Sequence, residues 1–134
     1  MVDKNTTTSR PSVLVMDDDE SIRDLLIFAL EDEGFEVFCA SDGLAGMDLF
    51  KKHTVNLVIT DIIMPGKEGI EIVQEIKQEY PEIKLIVMSG LDGNDENDYL
   101  KYASIFGADR TFRKPFDILE FMNSVRELLA LKKE

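Results

Sequence analysis

The chain has 134 residues, a length that fits a single domain, and 44% of them are hydrophobic, enough for a substantial core. Its formal net charge of −12 disfavours direct binding to nucleic acid or to anionic membranes and suits cations or basic partner surfaces. The polar N-terminus lacks the apolar core of a signal peptide, and no apolar run has the length of a membrane span. We therefore expect a soluble cytoplasmic domain, residues 12–131, preceded by a flexible tail, residues 1–11.

Five short apolar runs predict the strands of a parallel sheet. In chain order they cover residues 12–16, 35–40, 57–60, 85–88 and 110–113. Their β-branched and aliphatic composition is typical of strands that are buried on both faces. The single cysteine, Cys39, lies in the second run, and we expect it to be a small core residue rather than a nucleophile.

Amphipathic helices are predicted after the strands, because apolar residues recur there at spacings of three and four. Asp42 is expected to cap the second helix, Pro81 to end the third and Pro115 to open the fifth. The polar stretch 90–97 is predicted to be a loop before the fourth helix. Five strand–helix units without an internal boundary indicate one α/β domain, in which a doubly wound parallel sheet lies between two layers of helices.

Carboxylates follow two of the predicted strands. Asp17 and Asp18 come directly after the first strand, and Asp61 comes after the third. Open sheets of this class bind ligands beyond the carboxyl ends of their strands. If these strands are neighbours, two carboxylates ~4 Å apart repel by roughly 4 kcal/mol at an effective dielectric near 20, and a divalent cation removes that penalty. Such hard oxygen ligands suit Mg²⁺, whereas Asp19 and Glu20 are assigned to the start of the first helix.

A hydroxyl and an ammonium group stand at the ends of the next two strands, on Ser89 and Lys114. Together with a cation they form a site suited to an anion. An aspartate beside Mg²⁺ can accept a phosphoryl group as an acyl phosphate. The strand ends therefore predict a phosphate site in which a cation replaces the backbone amides of a glycine-rich loop.

The motifs along the chain resemble those of the receiver domain of bacterial two-component response regulators. They are VLVMDDDESIR, LVITDIIMPGKEGIE, LIVMSG, FGAD and RKPFD, in that order, and the resemblance covers about residues 12–131. Each motif by itself is weak, but five of them in order at the predicted strand ends are specific. The resemblance implies a flavodoxin-like (βα)5 fold with strand order 2-1-3-4-5, a three-layer α/β/α arrangement.

The resemblance also implies a phosphoacceptor and its metal ligands. Asp61 resembles the phosphoacceptor aspartate of the family. Asp17 and Asp18 resemble the acidic pair that binds Mg²⁺, and Asp61 and the backbone carbonyl of Ile63 complete the protein ligands. The resemblance thus implies that one cation contacts the residue that is phosphorylated.

The remaining implied roles concern the phosphoryl group and the partners. Ser89 resembles the switch hydroxyl, and Lys114 resembles the phosphoryl-binding lysine, with a cis bond to Pro115. The implied function is a phosphorylation-dependent signalling switch in a phosphorelay, not an enzyme. Its implied phosphodonor is a sensor histidine kinase or a histidine phosphotransfer protein. Its output partner is a downstream protein or a second copy, contacted through the fourth helix, fifth strand and fifth helix.

Two other functions remain as alternatives. A pseudo-receiver would act only as an interaction module, and an aspartate-nucleophile, Mg²⁺-dependent phosphohydrolase needs a second acid where this chain has Ile63.

Three positions depart from the family pattern. Ile63 and Leu91 offer no group that orients water, so we predict slow autodephosphorylation. Thr111 stands where the family usually has Tyr or Phe, and Phe112 is expected on the opposite face of the sheet. We therefore predict a weaker or different output change.

Overall fold

Five parallel strands form one sheet in the predicted order 2-1-3-4-5. The computed structural model describes residues 10–62, 69–90 and 94–130, with side chains for all of these except 94–99. The strands are β1 (Ser12–Met16), β2 (Glu36–Ala40), β3 (Leu57–Asp61), β4 (Lys84–Ser89) and β5 (Arg110–Arg113). The helices are α1 (Glu20–Asp32), α2 (Gly43–Lys52), α3 (Gly69–Glu79), α4 (Asn94–Ile105) and α5 (Ile118–Leu128). The predicted flavodoxin-like α/β architecture is thus confirmed.

The core consists of two layers, one on each face of the sheet. Alternate strand residues such as Leu14 and Val58 pack with the buried side chains of α2, α3 and α4. Their neighbours in sequence, such as Val13 and Ile59, pack with the buried side chains of α1 and α5. Because side chains alternate along a strand and both faces are covered, the central strands carry apolar side chains on both faces.

Two helices begin at residues other than those predicted. α4 starts at Asn94, so the second half of the predicted loop 90–97 is helical backbone. α5 starts at Ile118 rather than at Pro115. The Asp117 carboxylate accepts hydrogen bonds from the backbone N–H groups of Leu119 and Glu120, and this cap fixes where α5 begins.

The predicted caps of the first two helices are confirmed. The Asp19 carboxylate accepts hydrogen bonds from the N–H groups of Ser21 and Ile22, and the Asp42 carboxylate accepts one from Ala45 N at 2.8 Å. No helix in the described part of the chain is long and apolar enough to cross a membrane.

The prediction that Cys39 is a core residue is wrong. Its side chain is exposed, although its partner across the sheet, Val15, is fully buried. β2 lies at the edge of the sheet, where a strand has one neighbour instead of two. The apolar run around Cys39 therefore indicates a strand without indicating burial of each of its residues.

Candidate functional site

The strand register brings three carboxylates together at the carboxyl ends of β1 and β3. Met16 pairs with Thr60 across β1 and β3, so the residues that follow them, Asp17 and Asp61, lie side by side. One carboxylate oxygen from each of Asp17, Asp18 and Asp61 lies within 4.8 Å of the others. Asp17 is fully buried and Asp61 is 8% exposed, whereas Asp18 is exposed. The sequence-predicted acidic cluster therefore exists, with its most buried member beneath the others.

Backbone contacts hold Asp17 in one position. Its N–H donates to Ala40 O at 3.2 Å, and its Oδ1 accepts a hydrogen bond from Asp19 N at 2.9 Å. Its carbonyl oxygen accepts a hydrogen bond from Arg23 Nη1 at 2.8 Å. Because both its backbone and one carboxylate oxygen are engaged, Asp17 presents its other oxygen, Oδ2, to the centre of the cluster.

Lys114 reaches this cluster from the end of β5. Its Nζ lies 2.6 Å from Asp17 Oδ2 and donates a hydrogen bond to Asp61 Oδ2 at 3.3 Å. Its backbone N–H donates to Ser89 O at 2.8 Å, which joins it to the end of β4. The predicted cis bond between Lys114 and Pro115 is present. The ammonium group thus lies between the two least exposed carboxylates.

Asp17 and Asp61 stabilise the protonated form of Lys114. Burial by itself disfavours the ammonium form, but the contacts with Asp17 and Asp61 outweigh it and raise the pKa of Lys114 above the usual value of 10.5. Lys114 is therefore a cation throughout the physiological pH range, and it neutralises part of the charge of the cluster.

The residues present fit a hard divalent cation. The cluster holds three carboxylates, and the single Lys114 ammonium, which contacts Asp17 Oδ2 and Asp61 Oδ2, neutralises only part of their charge. Buried charges require an opposite charge or a metal, so this excess of carboxylates favours a second cation. The cluster offers only oxygen ligands. Mg²⁺ prefers such ligands, whereas softer metals prefer nitrogen or sulfur. The fourth predicted ligand, the carbonyl of Ile63, lies outside the described residues.

Ser89 ends β4 beside the cluster. Asp61 pairs in register with Met88, so Ser89 lies one residue beyond Asp61 on the neighbouring strand. Its side chain is fully buried. This position matches a hydroxyl that contacts a group bound to Asp61.

The chain matches the model of a known protein family. The family model for the response regulator receiver domain matches residues 13–126. This chain belongs to the response regulator receiver domain family. As a receiver domain, it is a phosphoryl-accepting signalling switch of two-component phosphorelays, and such domains are signalling modules that interact with histidine kinases or phosphotransfer proteins.

Individual relatives agree with this assignment. The chain is 36% identical over 120 residues to sporulation initiation phosphotransferase F of Bacillus subtilis (strain 168), covering 90% of this chain and 94% of the relative. A receiver domain structure from Clostridium thermocellum matches with TM-score 0.81 and 30% identity, covering 90% and 94% of the two chains. A beryllofluoride-activated NtrC4 receiver domain dimer matches with TM-score 0.80 and 28% identity, covering 89% and 96%.

Thr111 and Phe112 lie on opposite faces of the receiver domain sheet, as predicted. Thr111 pairs with Val87, whose side chain belongs to the core layer beneath α2, α3 and α4. Phe112 pairs with Met88 and packs in the layer beneath α1 and α5. The face that usually carries the family's aromatic residue therefore has a threonine in this receiver domain.

Sequence reasoning missed one contributor to the site, Arg23. Its guanidinium, from the first turn of α1, donates to the backbone carbonyl of Asp17. The position of Arg23 in the sequence indicates such a role, because a cation near a helix N-terminus is unfavourable with the helix dipole unless a specific partner holds it. Gly69 is a position without room for a side chain, since an added Cβ would lie 2.5 Å from Asp61 O.

Proposed function

We propose that Asp61 is the phosphoacceptor of this receiver domain and that Asp17 and Asp18 hold Mg²⁺ with it. The backbone carbonyl of Ile63 is proposed as the remaining protein ligand. The observation that carries the proposal is the meeting of three carboxylates and one ammonium group at the carboxyl ends of β1, β3 and β5. Asp61 is the partly accessible acid that Lys114 contacts, so a donor can reach it from solvent.

The proposed reaction is a transfer between two nucleophiles. A carboxylate oxygen of Asp61 attacks the phosphorus of a phosphohistidine and forms a P–O bond. The P–N bond breaks, and its electron pair returns to the imidazole nitrogen of the donor. When bound, Mg²⁺ supplies positive charge that offsets the negative charge of the acids and of the phosphoryl oxygens. Lys114 contributes a second positive charge from a fixed position beside Asp61.

The same residues would detect the product. Phosphorylation adds oxygens beside Asp61, within the reach of the Lys114 ammonium that now lies against Asp17 and Asp61. Ser89, one residue beyond Asp61 on the neighbouring strand, offers a hydroxyl to another phosphoryl oxygen. The phosphorylated state therefore gains contacts that the unphosphorylated state lacks, which is what shifts a two-state equilibrium.

Two classes of partner are proposed. The phosphodonor is a sensor histidine kinase or a histidine phosphotransfer protein, in line with the phosphotransferase name of the Bacillus relative. The output partner is a downstream protein or a second copy that contacts α4, β5 and α5. Large apolar side chains at the C-terminal end of α4 support this surface, since Tyr102 is 52% and Ile105 64% exposed. The activated NtrC4 dimer shows that a structural relative assembles in this state.

Phosphorylation of Asp61 is tested directly by mass. Incubation with a small acyl phosphate donor and Mg²⁺ is expected to add one phosphoryl group, and intact-mass spectrometry measures it. In Asp61→Asn the added mass is expected to disappear, because an amide oxygen is a poor nucleophile. The matched control is Asp24→Asn, a change at an exposed aspartate of α1 that leaves the site intact. Labelling of Asp61→Asn at the wild-type level would overturn the assignment.

Slow autodephosphorylation remains a prediction. Ile63 and Leu91 lie outside the described residues, so it rests on their apolar side chains, which cannot orient an attacking water. After removal of donor, the phosphoryl group is expected to be lost more slowly from wild type than from Ile63→Asn. Equal rates of loss in the two proteins, followed by mass spectrometry, would contradict the prediction.

A further inference from the structure

Three phenylalanine rings form a cluster beneath α1 and α5. Phe112 of β5 and Phe116 of the following loop each lie 4.8 Å from Phe121 of α5, between ring centroids. Phe112 and Phe116 lie 6.0 Å from each other in an edge-on arrangement. Phe121 is fully buried, and the other two rings pack at the border of the same core layer. We refer to these three residues as the ring cluster.

The ring cluster is connected to the acidic site through Lys114. Phe112 lies two residues before Lys114, and Phe116 lies two residues after it. The Lys114 side chain is held by Asp17 and Asp61, and its backbone N–H is held by Ser89 O. Lys114 therefore shares one short chain segment with two of the three rings, and a change in its contacts with the site on phosphorylation is the proposed route to those rings.

The opposite face of the sheet has no comparable ring on β5. Thr111 points to the side of α3 and α4, where a short β-branched side chain has little to rearrange. Aromatic packing is sensitive to small displacements, because ring pairs are attractive only in certain relative orientations. On β5, the α1–α5 side is therefore the one equipped to respond to Lys114.

The ring cluster also contacts the elements that shape a surface groove. Directly after Phe116, Asp117 caps α5, and Ile118 and Leu119 then line a groove of about 250 Å³. Leu25 and Phe28 of α1 line its other side. α1 and α5 are joined by an ion pair between Arg126 and Glu33, with 2.6 Å between Nη1 and Oε2. A shift at the start of α5 therefore changes the shape of this groove.

We propose that the phosphorylation state of Asp61 is transmitted to the α1–α5 side of this receiver domain, through Lys114 and the ring cluster. The proposal rests on the proposed function, because it requires a phosphoryl group at Asp61. It adds a response on the α1–α5 side of the sheet to the output surface proposed at α4, β5 and α5, where Thr111 predicts a weaker or different change.

Fluorine NMR tests this proposal on the full chain. The eight phenylalanines are replaced biosynthetically by a fluorinated analogue, and single Phe→Leu variants assign the signals. Spectra are recorded with Mg²⁺ alone and with Mg²⁺ plus beryllofluoride, whose own bound fluorine signal reports occupancy of the site. We expect the signals of Phe112 and Phe116 to shift on binding. The internal control is Phe50, which packs edge-on against Tyr80 beneath the opposite face of the sheet and is expected to stay unchanged.

A variant tests the path through the rings. In Phe112→Leu, beryllofluoride is expected to bind as in wild type, while the shift of the Phe116 signal falls by at least half. Bound beryllofluoride with unchanged Phe112 and Phe116 signals in the wild-type chain would overturn the proposal and leave the proposed function standing. Absence of a bound fluorine signal would overturn the proposed function itself, and this inference with it.

Discussion

Replacement of Lys114 by methionine is expected to destabilise the metal-free protein by about 3–5 kcal/mol, the usual cost of removing one partner from a buried ion pair. The Lys114 ammonium lies between Asp17, which is fully buried, and Asp61. In Lys114→Met, both carboxylates lose this positively charged neighbour. Water cannot solvate the Asp17 carboxylate in its place, because Asp17 is fully buried. Methionine keeps most of the aliphatic volume, so the loss reports charge rather than packing.

Mg²⁺ is expected to restore much of this stability. Lys114 and the metal require the same carboxylates, so the variant has no internal cation that competes for them. Urea unfolding of wild type and Lys114→Met, each with and without Mg²⁺, measures both effects. The matched control is Lys52→Met, since Lys52 forms an exposed ion pair with Asp48 at 3.1 Å and should contribute only a few tenths of a kcal/mol. A stabilisation by Mg²⁺ that is smaller in the variant than in wild type would contradict competition.

The difference in stability between wild type and Lys114→Met has a defined pH dependence. The pKa of Lys114 is raised in the folded protein above its usual value of 10.5, because its contacts with Asp17 and Asp61 outweigh the effect of burial. Its contribution to stability is then fully present below the pKa of the unfolded chain, and it is lost as pH rises through the folded pKa. The difference in unfolding free energy between wild type and Lys114→Met should be constant from pH 7 to about 9. A difference that vanishes within that interval would exclude the ion pair as its cause.

Gly69→Ala is expected to damage both stability and phosphorylation. An added Cβ would lie 2.5 Å from Asp61 O and 2.7 Å from Ile62 Cα, both of them backbone atoms that cannot rotate away. In an unobstructed helix, alanine is more favourable than glycine, so a loss of stability here reports the clash. We expect a loss of about 1–3 kcal/mol from overpacking. Because the clash displaces Asp61, phosphorylation should slow by up to about 100-fold.

Gly90→Ala provides the contrast for this prediction. A Cβ at Gly90 would meet only side-chain atoms of Lys114, the nearest at 3.3 Å, which can adjust by a few tenths of an ångström. Its stability should therefore stay close to that of wild type. Unfolding curves and phosphorylation time courses of the two variants test the difference between backbone and side-chain obstruction. Equal behaviour of Gly69→Ala and Gly90→Ala would show that α3 can move away from Asp61 without cost.

Local patterns in the sequence predicted the strands and helices and their order along the chain. Buried parallel strands require continuous apolar runs, and the intervening helices require apolar residues at three- and four-residue spacing, so both patterns are local and readable. The caps formed by Asp19 and Asp42 were predictable for the same reason, since a cap involves groups only two or three residues apart. The start of α5 was misassigned to Pro115 because two local signals competed there, and the carboxylate of Asp117 decides it.

Contacts between distant parts of the chain follow from the packing of the whole fold. Nothing within the second strand distinguishes Cys39 from a core residue, because burial at an edge strand depends on neighbours elsewhere in the fold. The contact of Lys114 with Asp17 as well as Asp61, and the support that Arg23 gives Asp17, also required the folded chain. The acids and the lysine were identifiable from the sequence because chemistry limits which residues hold a cation and a phosphoryl group. Their pairing was not, because it depends on side-chain directions that only packing of the whole sheet specifies.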